Sequence, residues 1–185
     1  MENYSYATFP SSCNPFTIVW TGTDSNLLIQ RIFLSDSRIT SEVKTQETFK
    51  NIKRKSSTFI ERLGEKIQEF LKGEIVEFDL DLVNFNKCTE VQRKVLIAEF
   101  NIPRGWISTY NRIANKIGIQ NGARVVGNAL AKNPFPIIIP CHRAIKTNGD
   151  LGGYQGGIKM KRTLLEMEGI KFSNTGKVID ARIYY

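Results

Sequence analysis

Hydrophobic positions along the chain fall into two regimes, short β-prone runs followed by helical stripes. Phe16-Thr17-Ile18-Val19-Trp20 and Leu27-Leu28-Ile29-Gln30-Arg31-Ile32-Phe33 are rich in β-branched and aromatic residues. They flank the turn-like Gly22-Thr23-Asp24-Ser25-Asn26, so the pattern predicts two strands. Residues 35–56 are polar, carry Lys53-Arg54-Lys55 and read as a solvated connection. From Thr58 a helix is predicted: Thr58 and Glu61 have capping-box spacing, and Ile60, Leu63, Ile67, Phe70 and Leu71 share one face. Gly73 sits where a left-handed cap belongs. Val76, Phe78 and Leu80 then alternate with acids, the pattern of a half-buried strand.

Asp81 to Lys87 reads as a boundary, beyond which the pattern turns mostly helical. Thr89 and Gln92 form another capping box, opening a helix that carries Val91, Val95, Leu96, Ala98 and Phe100 and ends at Pro103 and Gly105. Thr109 starts a short helix with Tyr110, Ile113, Ala114 and Ile117 on one face, closed by Gly118. A turn through Ile119, Gln120 and Asn121 leads to a second short helix, Gly122 to Ala131. The expected fold is an α/β N-terminal scaffold domain over residues 1–84. A mostly α domain containing a helix-turn-helix follows over 85–185. The second helix of that pair is small-sided, with Ala123, Gly127, Ala129 and Ala131, and one long cation, Arg124, projects near its start.

Charge sharpens the division. The chain carries a net +8, yet residues 1–86 hold 10 basic against 12 acidic side chains and residues 87–185 hold 16 against 6. The second half alone should attract a polyanion, DNA or RNA being the usual one. At 185 residues with 41% hydrophobic side chains, the composition is that of an ordinary globular protein. No apolar run approaches a membrane span, and Met1 to Tyr6 lacks the pattern of a secretory leader, so no membrane partner and a cytoplasmic location are expected (nuclear in a eukaryote). Three scattered cysteines, Cys13, Cys88 and Cys141, exclude a disulfide scaffold. With one histidine and no C-x-x-C pair, a zinc site is not expected.

The chemistry gathers at Asn133-Pro134-Phe135-Pro136-Ile137-Ile138-Ile139-Pro140-Cys141-His142-Arg143. Ile137 to Ile139 read as a buried strand stopped by Pro140, so Cys141 emerges at the end of a rigid element beside the chain's one histidine. A cysteine attacks as thiolate, and a neighbouring imidazole or cation lowers its pKa from about 8.5. Adjacent residues on an extended chain point to opposite faces, so a bridging water would carry the proton from Cys141 to His142. A carboxylate must orient the imidazole, and Glu166 and Glu168 lie at the end of a returning helix. The loop Gly152-Gly153-Tyr154-Gln155-Gly156-Gly157 is flexible, carries an aromatic ring and suits the wall of a pocket for a planar ring. A papain-like thiol hydrolase fits poorly, because such enzymes bring cysteine and histidine together from distant segments.

Ile139-Pro140-Cys141-His142-Arg143 resembles the active-site signature of the 6-O-alkylguanine-DNA alkyltransferases, also called methylated-DNA–protein-cysteine methyltransferases. The resemblance runs from about residue 87 to 172. It includes Pro103-x-Gly105-x-x-x-Thr109-Tyr110, Ala123-Arg124-x-Val126-Gly127, Asn133-Pro134, the Gly152 to Gly157 loop and Leu164-Leu165-x-x-Glu168-Gly169. It implies direct-reversal DNA repair by a self-inactivating, single-turnover methyltransferase that flips 6-O-alkylguanine from duplex DNA and moves the alkyl group to Cys141. By the same resemblance His142 accepts the thiol proton through a water, Glu168 orients His142, and Asn133 braces the active-site turn. Tyr110 protonates the departing guanine and crowds the target phosphate. Arg124 fills the place of the extruded nucleotide on a helix that Ala123 and Gly127 keep slim. Tyr154, Gln155 and Gly156 hold the substrate base, with Gln155 standing where many members have serine. No cofactor is needed and a monomer is expected. The alternative is a non-catalytic lesion-binding relative, which would lack the cysteine.

Overall fold

A computed structural model of the chain describes residues 3–185. Met1 and Glu2, the start of the stretch read for a secretory leader, lie outside the described residues. The chain divides into two compact units, residues 1–84 with 134–138, and residues 85–133 with 139–185. An α/β unit is thus followed by a mostly helical one.

The first unit is built on a four-stranded sheet in the order β3-β2-β1-β4. Strands β1 (Ser5–Phe9), β2 (Phe16–Thr21) and β3 (Leu28–Leu34) run antiparallel, and the short β4 (Lys53–Arg54) lies parallel to β1. Alternation along a strand sends side chains to opposite faces. Phe9, Phe16, Ile18 and Ile32 are buried on one face, and Tyr6, Val19 and Phe33 cluster on the other. The second face is covered by α1 (Ser41–Thr48), joined to it where the Thr17 hydroxyl donates to Ser41 Oγ at 2.9 Å. The first face receives α2 (Thr58–Leu71), which buries Ile60, Leu63, Ile67, Phe70 and Leu71 as its periodicity predicts. Gly64 lets α2 approach the sheet, since a Cβ there would lie 2.4 Å from the Phe9 ring.

Four local expectations change. Helix α1 stands in the stretch read as a solvated connection, and strand β1 in one for which no element was predicted, because their burial comes from tertiary pairing. The cap of α2 is Ser57, whose Oγ accepts from the Ile60 amide at 3.4 Å, one residue ahead of Thr58. Residues 76–80 form no strand; Val76, Phe78 and Leu80 alternate in burial but have no ladder to join. The free edge of β3 is occupied instead by Val83, bridged to Ile29, and by Pro134, whose carbonyl accepts from the Ile32 amide at 2.7 Å.

In the second unit α3 (Glu90–Phe100), α4 (Tyr110–Lys116) and α5 (Ala123–Ala131) pack together around Val95, Leu96, Ile113, Ala114, Val126 and Leu130. The expected caps are present: Thr89 Oγ1 accepts from the Gln92 amide and Thr109 Oγ1 from the Arg112 amide, each at 3.2 Å. Gly118 (φ +79°) turns the chain from α4 into the α5 approach, completing a helix-turn-helix. A short parallel sheet runs β6 (Ala144–Ile145), β5 (Trp106–Thr109) and β9 (Arg182–Ile183). Helix α6 (Ile158–Met167) and the hairpin of β7 (Lys171–Phe172) with β8 (Val178–Ile179) follow, over a core of Ile107, Ile145, Leu151, Leu165 and Ile170. Trp106 is a packing anchor here, edge-on to Tyr184 with the Arg182 guanidinium over its ring.

Candidate active site

The run expected as a strand before Cys141 is a buried turn. Ile137 takes φ +78°, a left-handed backbone that a β-branched residue adopts only under strain. At the base of the turn Asn133 Nδ2 donates to the Ile139 carbonyl at 3.2 Å, tying its two ends. Cys141–Arg143 then form one 3-10 turn, with the Arg143 amide donating to Pro140 O at 2.9 Å, and β6 continues into the sheet. The nucleophile candidate is thus fixed from both sides, by a bracket rather than by a strand end.

Cys141 is buried, and burial pushes its thiol up to about 12, although its hydrogen bond with Asn133 and the charge of Lys161 both pull it down. The expectation that neighbours lower the thiol pKa is therefore reversed in the free protein. Desolvation of a small anion outweighs a nearby dipole and cation. At rest the sulfur is a protonated thiol, protected from casual oxidation.

Behind the cysteine the candidate base is held by a buried ionic cluster. His142 Nε2–H donates to Glu168 Oε1 at 2.9 Å, which leaves Nδ1 as the basic nitrogen. Burial depresses the imidazole pKa against the pull of Glu168, so His142 is neutral near pH 7 and able to accept a proton. Burial would also raise the Glu168 carboxyl, but His142 and Arg143 outweigh it and hold it at about 2. The Arg143 fork makes two short bonds to that carboxylate, Nε to Oε2 at 2.9 Å and Nη2 to Oε1 at 2.8 Å, while Nη1 donates to Ile102 O at 2.6 Å. Of the two carboxylates on the returning helix, Glu168 alone reaches the histidine. Glu166 is bound to Arg162 at the surface.

In front of the cysteine lies a cavity of 330 Å³. Cys141 shares its walls with Tyr110 from α4, Gly127 and Leu130 from α5, and Tyr154 and Gln155 from the 152–157 loop. Gly152 (φ +70°) allows that loop to close on Tyr110, whose hydroxyl would sit 2.5 Å from a Cβ at this position. Gln155 Nε2 donates to the Asn133 carbonyl at 2.6 Å, so the loop is tied to the same residue that braces the turn. Gly156 is buried behind the loop and does not line the cavity. Ala123 and Arg124 lie outside it too, at the first turn of α5, where Arg124 is exposed. A Cβ on Gly127 would meet nothing within 4 Å, so internal packing does not explain that helix's small face.

Three buried ionisable residues escaped the sequence reading: Arg143, Lys161 and Glu99. Lys161 Nζ donates to Ala144 O and Leu151 O, each at 2.6 Å, and approaches the Tyr110 hydroxyl at 3.4 Å. A signal was available. Lys161, Leu164, Leu165 and Glu168 follow helical spacing on one face, and Glu99 falls four residues after Val95 on the apolar stripe of α3.

Comparison with known proteins bears on the whole arrangement. Residues 90–170 match the family model for the 6-O-methylguanine DNA methyltransferase DNA-binding domain. A methylated-DNA–protein-cysteine methyltransferase of Methanothermobacter thermautotrophicus is 49% identical over 111 residues, 60% of this chain and 62% of that one. One from Methanosarcina acetivorans is 40% identical over 111 residues, 60% of this chain and 70% of that one. The crystal structure of Mycobacterium tuberculosis OGT in complex with DNA superposes with a TM-score of 0.72 at 30% identity, covering 89% of this chain and 92% of that one. This chain belongs to the methylated-DNA–protein-cysteine methyltransferase family. The methyltransferase family model begins at Glu90, the first residue of α3, and ends at Ile170. Cys141, His142, Glu168, the cavity walls and the helix-turn-helix all fall within it, and the first unit's sheet precedes it.

Proposed function

We propose that the protein repairs 6-O-alkylguanine in duplex DNA by moving the alkyl group to its own Cys141. The observation that carries this reading is a buried thiol opening into a cavity of 330 Å³ between a small-faced helix and an aromatic loop, backed by the His142–Glu168 pair. His142, neutral and oriented through Nε2–H, takes the thiol proton by way of a water. The sulfur displaces the alkyl carbon from guanine oxygen-6, and Tyr110 gives a proton to the departing base. The C–O bond breaks as the C–S bond forms, and the guanine leaves with one proton in place of the alkyl group.

Asn133 acts by holding the turn, and Tyr154, Gln155 and Gly156 form or support the wall that receives the ring. A target atom inside a stacked duplex is out of reach of a cavity on a rigid protein, so the nucleotide must be extruded. Arg124, exposed at the start of α5, enters the space left behind, and Ala123 and Gly127 leave the helix slim enough to lie in a groove. The basic second half adds phosphate attraction.

The product is a thioether, which neither water nor imidazole cleaves under mild conditions, so each molecule acts once. Incubation with an oligonucleotide bearing 6-O-methylguanine should stop at a single methyl per protein, with a mass gain of one methylene on the Cys141 peptide. Cys141→Ala should lose transfer completely and still shift the DNA in a gel. Sustained turnover, or repair with an unmodified Cys141, would refute the mechanism; binding with no mass gain by the parent would favour a lesion-binding role.

A further inference from the structure

Residues 182–185 lie beyond the stretch that matches the family model, and none of them lines the cavity. They are nevertheless tied to the strand and the helix that carry Tyr110. Strand β5 is the middle one of its sheet. On one side Ser108 and Thr109 pair with Ala144 and Ile145, directly after the Cys141 turn. On the other side Trp106 and Ile107 pair with Arg182 and Ile183. Past that ladder the Tyr184 amide donates to Ile107 O at 2.8 Å, and the buried Ser108 hydroxyl donates to Tyr184 O at 2.7 Å.

Tyr185 then leaves the sheet and joins two helices. Helix α3 ends in a tightened turn, in which the Asn101 amide goes to Ile97 O and the Ile102 amide to Glu99 O. The Ala98 carbonyl is passed over, and the Tyr185 hydroxyl donates to it at 2.8 Å. Carbonyls at a helix end need such outside partners. From α4 the Arg112 guanidinium donates to the Tyr185 main-chain oxygen, and Lys116 Nζ stands 5.0 Å from the centre of its ring. Tyr185 thus holds both cations of α4, exposed residues one turn apart.

Thr109 is at once the last residue of β5 and the cap of α4, and Tyr110 is the first residue of α4. Strand and helix are joined without a linker, so whatever fixes both fixes the Tyr110 backbone. Strand β6 ties the Thr109 end of β5 to the Cys141 turn, while segment 182–185 holds the other half of β5 and the far end of α4. We propose that Tyr185 is a positioning residue, which together with β9 holds β5 and α4 so that the Tyr110 hydroxyl meets a base lodged beside Cys141. A misplacement of about 1 Å in a group that acts on the reacting atoms costs up to about 10²-fold in rate. Loss of the Tyr185 anchor should therefore be felt at Tyr110 and not at the sulfur, which has its own bracket through Asn133.

The consequence for the reaction rests on the alkyltransfer reading, but its test needs no DNA. Single-turnover reaction with free 6-O-benzylguanine should slow about tenfold in Tyr185→Ala. Tyr185→Phe, which keeps the ring beside Lys116 and loses only the bond to Ala98 O, should recover most of that rate. In a Tyr110→Phe background Tyr185→Ala should have no further effect, whereas a general loosening of the fold would slow both backgrounds alike. Alkylation of Cys141 by iodoacetamide, followed by peptide mass, should run at the parent's rate in Tyr185→Ala. Equal slowing in both backgrounds, a matching loss of iodoacetamide rate, or parent-like benzyl transfer by Tyr185→Ala would each overturn the proposal.

Hydrogen exchange reads the same anchor without any chemistry. The α4 amides of Ile113 and Ala114 should exchange about tenfold faster in Tyr185→Ala than in the parent, with those of α2 unchanged. If Tyr185→Ala does not fold, Tyr185→Phe takes its place, and α4 should again exchange faster than in the parent. Parent-like exchange of α4 in the folded variant would equally overturn the idea. A parent that transfers no alkyl group would sink the repair reading, and the exchange rates would still decide whether Tyr185 holds α4.

Discussion

The two units bury polar groups of different kinds. In the first, the buried polar side chains are Ser5, Thr17, Gln30, Ser35, Ser41 and Thr45, all neutral. Thr17 donates to Ser41, Ser35 to Pro15 O, Thr45 to Ser41 O and Gln30 to the Thr21 hydroxyl. In the second, Glu99, His142, Arg143, Lys161 and Glu168 are buried beside Ser108, Thr109 and Asn133. Burying an ionisable group costs several kcal/mol unless it is paired, and even a paired one seldom stabilises more than an apolar substitute would. Five such groups buried in one unit are not explained by folding alone. The first unit is organised for stability, whereas the second sacrifices some of it to hold charge near a sulfur.

Breaking the ionic cluster tests that division most severely. Glu168→Ala strips the partner from both His142 and Arg143 and should cost about 3–5 kcal/mol of stability, as removal of one member of a buried pair does. The same change should slow transfer to Cys141 by about 10²–10⁴, the range for a lost acid–base function. Urea unfolding and single-turnover kinetics measure the two effects. The pH dependence has a fixed sign. Glu168 titrates near 4.5 when unfolded and near 2 when folded, so its stabilisation is full above 4.5 and fades as pH falls toward 2. The acid limb of the parent's stability curve should therefore be steeper than that of Glu168→Ala.

The opposite test truncates the first unit. Phe16 is fully buried and stacked on Phe9 with ring centroids 5.4 Å apart. Phe16→Ala should cost about 3–5 kcal/mol through lost burial and a residual cavity. If the units divide labour as described, the folded fraction should keep the parent's rate of Cys141 alkylation. A comparable loss of rate would show that the scaffold also tunes the thiol.

The same contrast decides what the sequence disclosed. Strands β2 and β3 were legible because β-branched and aromatic residues crowd a short run, buried on both faces from Phe16 to Trp20, and helices α2 to α5 because their apolar residues keep helical spacing, as from Ile60 to Leu71. Strand β1 and helix α1 were not, since what covers them comes from other segments, β2 against Tyr6 and strands β2 and β3 against α1. At the site, Cys141, His142 and Glu168 could be named because the motif that holds them is compact in sequence. The burial of Glu99 and Lys161 was missed because a charged residue on an apolar stripe reads as an exception until its neighbours are known, and Arg143, though inside the motif, gave no sign of its carboxylate partner. The turn at Ile137 was misread as a strand for a related reason. Three β-branched residues favour extension locally, and the Asn133 bracket overrides them.

Extrusion provides a finer separation within the second unit, between groove and cavity. Arg124→Ala removes an exposed cation far from the hydrogen-bonded cluster and should leave stability within about 0.5 kcal/mol of the parent. Repair of duplex DNA should slow by about tenfold, equivalent to roughly 1.4 kcal/mol of lost support for the extruded state. Attack on free 6-O-benzylguanine needs no extrusion and should proceed at the parent's rate, and an equal loss on both substrates would refute the role assigned to Arg124.

The smallest expected effect concerns Gln155, which belongs to the cavity wall and to its framework at once. Its Nε2–H bond to the Asn133 carbonyl, at 2.6 Å, pins the aromatic loop to the bracket beneath Cys141. Gln155→Ser replaces the amide by a hydroxyl too short to reach that carbonyl, so one hydrogen bond worth about 1 kcal/mol should be lost. The shorter side chain also leaves more of the cavity open at the wall it shares with Tyr154. Methyl transfer should therefore fall only a few-fold, about the effect of a single neutral hydrogen bond, while benzyl transfer should fall less or rise. The ratio of the two single-turnover rates separates the contributions. A ratio equal to the parent's would mean that Gln155 acts only through loop order, and a shifted ratio would make it the residue that limits the size of the transferred group.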